Sequence, residues 1–299
     1  MLSSSRPHVS ALIVSYNTRD LLLDAVRPLA DEPDLEIVVV DNASTDGSAN
    51  VVAARFPGVQ LIRSPTNLGF AVGVNRAAER ASGEYFLLLN SDAVLRPGAL
   101  GLLVRLLEAH PRAAAVGAAL AFPDGSVQDS AFRFPGLAQV FLDLFPVGRL
   151  AGSRLNGRYR PARYPIQIDH PLGACMLVRR AAWDDVGPLD EGYFMYVEEI
   201  DWCRRARQRG WEIWHHPRAV AVHHGGQSAR QQADAMFIQL WHSRLRYFER
   251  HHGPILNCLV RWLVRLGMRA ESRRARRALG GRRLEDRLAA ISAVRELAS

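Results

Sequence analysis

Glu36-Ile37-Val38-Val39-Val40-Asp41-Asn42-Ala43-Ser44-Thr45-Asp46-Gly47-Ser48 is an apolar, β-branched run that breaks abruptly into acids, amides and hydroxyls. Ile and Val favour a strand, and four apolar residues in a row suit one buried on both faces. The Asp, Asn, Ser and Gly that follow are turn chemistry, and Thr45-Asp46-Gly47 is a capping-type start for a helix over Ser48–Phe56. A strand that ends in polar residues and leads into a helix is the repeating unit of a parallel α/β sheet. Ligands in such sheets collect at the carboxyl ends of the strands.

The same pattern recurs on either side. Strands are expected over Val9–Ser15, Glu36–Asp41, Val59–Ser64, Tyr85–Asn90 and Ala114–Phe122. Helices are expected over Arg19–Ala30, Ala71–Ala81 and Ala99–His110, the last with Pro97 where a first-turn proline is tolerated. This half reads as a doubly wound sheet. Beyond the turn Pro123-Asp124-Gly125-Ser126 the pattern changes, and a Phe-, Arg-, Pro- and Gly-rich segment runs to about Tyr164. A strand is expected over His170–Val178, helices over Arg180–Val186 and Glu198–Arg209, and short β pieces at Trp211–Trp214 and Ala219–Val222. Gly210 is a natural C-cap for the longer helix. From Ser228 onward the chain reads as helical, which divides it into a body, 1–227, and an extension, 228–299.

Composition narrows the function. The 299 residues are 48% hydrophobic and 23% charged, ordinary for a soluble protein. No window reaches the roughly 18 apolar residues of a membrane span. Met1 to His8 carries no apolar run, so no secretory signal is expected, and the three widely spaced cysteines, Cys175, Cys203 and Cys258, suit a reducing cytosol. The net charge of +8 resides in one stretch: Arg261 to Arg283 holds nine arginines and one acid, Glu271. The rest of the chain is neutral, which argues against a nucleic-acid-binding body. There is no lysine, so Schiff-base chemistry and a lysine-bearing phosphate loop are excluded.

Three polar clusters close strands one, two and four: Ser15-Tyr16-Asn17, Asp41 to Ser48, and Asn90-Ser91-Asp92. Turn capping explains any one of them; three at strand ends expected to face one crevice point to a polar ligand. No Gly-x-Gly-x-x-Gly follows strand one, and Gly69-Phe70-Ala71-Val72-Gly73 is the nearest glycine pattern. A nucleotide would have to be held by carboxylates and amides, with a divalent cation for its phosphates. Asp92 is placed for that cation, because Mg2+ and Mn2+ typically take one or two carboxylates plus substrate phosphate. Farther along, Glu198, Glu199 and Asp201 crowd the start of a helix, where the dipole favours negative charge. Helical spacing puts Glu198 and Asp201 on one face and Glu199 elsewhere. His223-His224 precedes Gly225-Gly226, a sign of backbone close to a ligand. Trp202, Trp211 and Trp214 read as core.

These blocks resemble the family 2 glycosyltransferases. Ile13 to Asn17, Val40 to Ser48, Asn67-Leu68-Gly69-Phe70-Ala71 with Asn75, and Leu88 to Asp92 are similar to that family's nucleotide-binding blocks. Gly173 to Arg180, Asp190 to Asp201 and His223-His224-Gly225-Gly226-Gln227-Ser228 resemble its bacterial rhamnosyltransferase-like branch. The resemblance covers roughly residues 9–230. It implies a GT-A type fold, a mostly parallel nucleotide-sugar-binding α/β sheet flanked by helices, followed by the helical extension. It also implies an inverting transfer from a dTDP- or UDP-sugar, rhamnose favoured, to a glycan or polyprenyl-linked acceptor, with Mg2+ or Mn2+ as cofactor. Asp41 would meet the pyrimidine, with Ser15 and Asn17 nearby, while Asp46, Asn67, Asn75 and Asn90 would line or support the nucleotide pocket. Asn90 stands where the metal motif has its first acid, which leaves Asp92 as the main metal carboxylate, with His223 able to join it. Glu199 stands at the general base, where the family usually has Asp, with Asp201 the substitute and Glu198 its neighbour. A sugar nucleotidyltransferase would share the sheet type, but Ser15-Tyr16-Asn17-Thr18 is unlike its arginine- and lysine-bearing glycine loop. An arginine-tail nucleic-acid binder is the nonenzymatic alternative.

In the tail, Leu259, Trp262, Leu263 and Leu266 recur at helical spacing, with Val260, Val264 and Met268 widening the apolar side and Arg261, Arg265 and Arg269 along one edge. This is a basic amphipathic helix of the kind that lies in an anionic membrane surface. It implies a cytoplasmic protein peripheral to the inner face of the membrane, with a chain ending at Gly253 still folded. A helix docked on the catalytic body is the other reading.

Overall fold

Alternate residues of β1 (Val9–Ser15) feed two different cores: Val9, Ala11 and Ile13 enter one, Leu12 the other. A strand buried on both faces needs cover on both, and the helices supply it. In the computed structural model, which describes residues 8–146, 148, 154–159, 162–226 and 232–299, a mixed sheet lies between two helical layers. On one side pack α1 (Arg19–Ala30), α2 (Ser48–Arg55) and α4 (Ala99–Ala109), through Leu22, Val26, Val52, Leu103 and Leu107. On the other lie α3 (Phe70–Arg80), α6 (Arg180–Val186) and α7 (Glu198–Gln208), through Val74, Trp183, Trp202 and Cys203.

The sheet changes character midway. β3 (Gln60–Arg63), β2 (Leu35–Asp41), β1 and β4 (Tyr85–Asn90) run parallel in that order. Next to β4 lies β11 (Cys175–Arg179), antiparallel to it and to the following β6 (Ala113–Ala121). β12 (Glu212–His223) is parallel to β6, and β5 (Ala93–Leu95) closes the edge antiparallel to β12. Short β7 (Val127–Gln128) and β9 (Ile166–Ile168) add to β6 and β12, and β8 (Ala131–Phe132) pairs with β10 (His170–Pro171) in a separate ribbon. The carboxyl ends of β1, β2 and β4 are therefore neighbours, and β12 brings its own end to the same side through β5, which directly follows β4.

Two expectations need correction. His170–Val178 is not one strand: the chain leaves the ribbon after Pro171 and rejoins the main sheet at Cys175, which frees Leu172 to Ala174 to line a cleft. The two β pieces at 211–214 and 219–222 are one strand with a register shift between His216 and Val220. Pro217 cannot donate to the ladder, and His216 Nδ1 accepts the Arg218 and Ala219 N–H groups there, both at 3.2 Å.

The expected boundary between residues 227 and 228 lies outside the described residues. After it come α8 (Ala233–His251), α9 (Pro254–Ala278) and α10 (Gly281–Leu297). They share a third core with α5 (Leu137–Leu144) and with Tyr193 and Val197 of the loop before α7. The apolar residues of α9 are divided: Val260, Leu263, Val264 and Met268 are buried in that core, while Leu259 and Trp262 face outward. The docked arrangement thus takes the apolar face on which a free anchor would depend.

Candidate active site

Hydroxyls and amides knit the three strand ends together. Ser15 Oγ lies 3.0 Å from Thr18 Oγ1, which donates to Ser91 Oγ at 2.9 Å, tying β1 to β4. Asn17, in the left-handed region at φ 51°, donates its backbone N–H to Ser44 Oγ and accepts the Thr45 N–H on Oδ1 at 2.8 Å, tying β1 to β2. Asp41 is buried; its Oδ2 accepts the Ser44 N–H at 3.1 Å, and its Oδ1 has no hydrogen-bond partner.

Two of the expected pocket residues are already engaged by the protein. Asp46 accepts the Arg19 N–H at 2.8 Å and the Ser48 N–H at 3.0 Å, so it caps the starts of α1 and α2. Burial raises its pKa, but these bonds outweigh it and hold the carboxyl below its usual value. Asn75 exchanges bonds with both backbone groups of Leu189, at 2.9 and 3.0 Å, and so pins α3 to the loop before α7. Asn67 accepts the Gly69 N–H at 3.0 Å and lines a small pocket with Tyr16, Asn42, Phe70 and Phe194. Asn42 was not singled out from the sequence; it donates to Gly69 O at 2.9 Å, and its position inside the Asp41 run was the available signal.

That pocket shares Val14, Phe70 and Met195 with a cavity of about 200 Å3 that Asn90, Ser91, Asp92, Glu198 and Glu199 also line. His223 Nε2 lies 3.3 Å from Asp92 Oδ1, and His223 Nδ1 lies 3.0 Å from Gln128 Oε1. The tautomer that donates Nδ1–H to Gln128 presents its Nε2 beside a carboxylate oxygen. That buried nitrogen has no hydrogen-bond partner. Carboxylate and imidazole are both ligand types for a divalent metal, and this pair fits one whose other ligands would be water and phosphate. Among the described residues no three His, Cys, Asp or Glu side chains converge. Gln128, brought in by β7, had no sequence signal, since only the sheet places it beside His223.

The entry to α7 is built under backbone strain. Tyr196 and Val197 sit in the left-handed region at φ 68° and 74°, which a β-branched residue rarely adopts. They turn the chain into α7 so that Glu198 and Glu199 both reach the cavity, contrary to the face assignment from helical spacing. Both are buried, and burial is the main reason that both pKa values are raised; for Glu198 the Glu199 charge adds to it. The N–H groups of Gly173, Ile200 and Glu199 itself favour Glu199 as carboxylate, while Glu198 Oε2 has no hydrogen-bond partner. A Cβ on Gly173 would meet Glu199 Cγ at 3.2 Å, so glycine is what lets its N–H approach.

Asp201 is turned away from the cavity. Arg205 donates to it at 2.8 Å, His251 Nε2 lies 2.7 Å away and Arg250 Nε 3.3 Å, the last two from α8. Ser243 donates to Met195 O at 2.8 Å, and Arg246 and Arg250 bind Asp190. The helices after residue 231 therefore grip the loop 190–197 at several points.

A polar crevice at the strand ends, with Asp92, His223 and a buried carboxyl pair lining one cavity, is the architecture of an α/β enzyme. Residues 10–187 match Glycosyl transferase family 2, and the chain belongs to that family. It is 30% identical to the N-acetylglucosaminyl-diphospho-decaprenol L-rhamnosyltransferase of Mycobacterium tuberculosis, covering 92% of this chain and 93% of that one. It is 26% identical to the rhamnosyltransferase WbbL of Escherichia coli K12, over 81% and 93% of the two chains. Its fold is similar to that of a mannosyltransferase from Pyrobaculum calidifontis solved with GDP-Man and Mn2+, at a TM-score of 0.56 and 17% identity, covering 99% of this chain and 86% of that one.

Proposed function

We propose that the protein transfers L-rhamnose from a dTDP-sugar to a hydroxyl of a lipid-linked glycan, with inversion at the anomeric carbon. The observation that carries the chemistry is that Glu198 and Glu199 line the same cavity as Asp92 and His223. The rhamnose and the lipid-linked acceptor come from the names of the relatives matched over nearly their whole length.

Glu199 takes the proton from the acceptor hydroxyl as that oxygen bonds to the anomeric carbon. The bond from that carbon to the diphosphate oxygen breaks, and the nucleoside diphosphate leaves. A raised pKa makes Glu199 a better base, and a placed base contributes ~10²–10⁴-fold in rate. Asp92 and His223 hold Mg2+ or Mn2+, which supplies positive charge for the diphosphate. Asp41 offers its unpartnered Oδ1 to the pyrimidine or ribose, with Ser15, Asn17, Asn67 and Asn90 shaping the crevice. Asp46 and Asn75 act as braces, as does Asp201. The catalytic body is followed by α8 to α10, which hold the loop leading into the base-bearing helix α7. No described helix is long and apolar enough to cross a membrane, and the protein meets its acceptor at the membrane surface.

The test is incubation of the purified protein with Mn2+, a prenyl-diphosphate-linked N-acetylglucosamine and a panel of dTDP-, UDP- and GDP-sugars, with products weighed by mass spectrometry. A deoxyhexose added from dTDP-rhamnose alone supports the reading; transfer from another donor in its place replaces the sugar assignment.

A further inference from the structure

The outward stripe of α9 is continuous over the whole helix. Ile255, Leu259, Trp262, Leu266, Arg269, Arg273 and Arg276 follow one another at steps of three and four, so they share one face along about 32 Å. The stripe is apolar in its first half and basic in its second. Ile255 is 79% exposed, Leu259 46% and Trp262 54%. Leu137 and Phe141 of α5 are also open, and they border one apolar groove with Leu155, Leu259 and Trp262.

The basic half is uncompensated. Arg265, Arg269, Arg273, Arg276 and Arg277 are exposed, and no carboxylate pairs with any of them among the described residues. Glu271, the one acid on α9, is taken by Arg274 and Arg287. The buried side of the same helix is already spent on the third core, so this outward face is not a byproduct of a helix with no partner.

We infer that the outward face of α9, together with α5, docks the folded enzyme on an anionic lipid surface. Trp, Leu and Ile at the headgroup boundary and a row of arginines over acidic headgroups are what such a surface recognises. This differs from a detachable amphipathic anchor: the patch is assembled from two helices of the folded protein. A second copy is a poor occupant, because pairing through this face either opposes two arginine rows or lays them on apolar residues. The purpose of the docking rests on the proposed lipid-linked acceptor, but the docking itself is tested apart from it. α5 and α9 pack in the same core as Tyr193 and Val197, so the docked face and the loop that leads into Glu199 share one hydrophobic cluster.

The experiment is vesicle flotation with the full chain, using phosphatidylcholine vesicles with and without phosphatidylglycerol. Two triple variants are compared: Ile255→Ser/Leu259→Ser/Trp262→Ser and Arg269→Gln/Arg273→Gln/Arg276→Gln. All six positions lie on the outward stripe, and unchanged melting temperatures check the fold. The expected result is binding to phosphatidylglycerol vesicles that high salt reverses, weakened at least ~10-fold in each triple variant. Absence of binding, binding equal on neutral vesicles, or binding undiminished in both variants overturns the inference. So does a wild-type dimer that the apolar triple variant splits, since the face would then join two copies. Transfer to a water-soluble acceptor, measured in parallel, separates this failure from failure of the glycosyltransfer reading.

Discussion

Asp201→Asn should destabilise the protein strongly while leaving much of its chemistry. Asp201 is fully buried and faces Arg205, Arg250 and His251. Burial pushes its pKa up, but the bonds from His251 and Arg205 and the charges of Arg205 and Arg250 outweigh that and hold it below the usual carboxylate value. Breaking a buried ion pair from one side costs about 3–5 kcal/mol. Arg250 is 42% exposed and can turn to solvent, and the amide keeps one acceptor, so the lower end, about 3 kcal/mol, applies. For a chain somewhat larger than those for which a kilocalorie moves the melting point ~2–4 °C, this is a fall of ~5–10 °C. The assay is thermal unfolding of both proteins against pH. Because the folded-state pKa lies below the unfolded value of about 3.9, the carboxylate's contribution is complete above about pH 5 and disappears as pH falls through the folded value. The gap between the two proteins should therefore be full at neutral pH and narrow in acid. An Asp201→Asn protein that melts like the wild type yet has lost kcat would refute the reasoning and make Asp201 the base.

Glu199→Gln should do the reverse, lowering kcat by ~10²-fold or more with donor affinity and melting point nearly unchanged; steady-state kinetics beside calorimetry checks it, and a mild effect removes Glu199 from the proton transfer. Gly69→Ala puts a Cβ 2.2 Å from Phe194 O in a residue at φ +83°, where left-handed strain alone costs about 1–2 kcal/mol. Thermal melts should show that loss and titration should show weaker dTDP binding; an unaltered protein would mean that the Gly69–Phe194 contact is not made. Ending the chain at Gly253 removes Val260, Leu263, Val264, Met268, Ile291 and Val294 from the third core. At about 1.5–3 kcal/mol per buried side chain that exceeds the stability of most domains, so the shortened protein should fail to fold or aggregate. A soluble, cooperatively melting product would show that the helices merely rest on the body.

The parallel half was legible because each strand is an apolar run ended by polar turn chemistry: Val9–Ser15 and Tyr85–Asn90 were placed to the residue. The antiparallel half depends on pairings far apart in sequence. Nothing local in Ala93–Leu95 announces a partner at Ala221 to His223, and the helix Leu137–Leu144 lies hidden in a Pro- and Gly-rich segment. The polar clusters at strand ends were visible, but not how they divide between ligand and scaffold. Asp46 and Asn75 are taken by backbone groups, which residue type does not reveal. Helical spacing misassigned Glu199 because that rule takes the helix as regular from its first residue, whereas two left-handed residues set its entry.

Release of dTDP from dTDP-rhamnose, in the presence of a lipid-linked N-acetylglucosamine acceptor, tests the account most directly when measured in Mn2+ and in excess chelator for the wild type and Asp92→Asn. The account predicts turnover by the wild type in Mn2+, loss in chelator, and no recovery by Mn2+ in Asp92→Asn although it remains folded. Turnover that persists in chelator, or an Asp92→Asn protein that Mn2+ stimulates as it does the wild type, would contradict it.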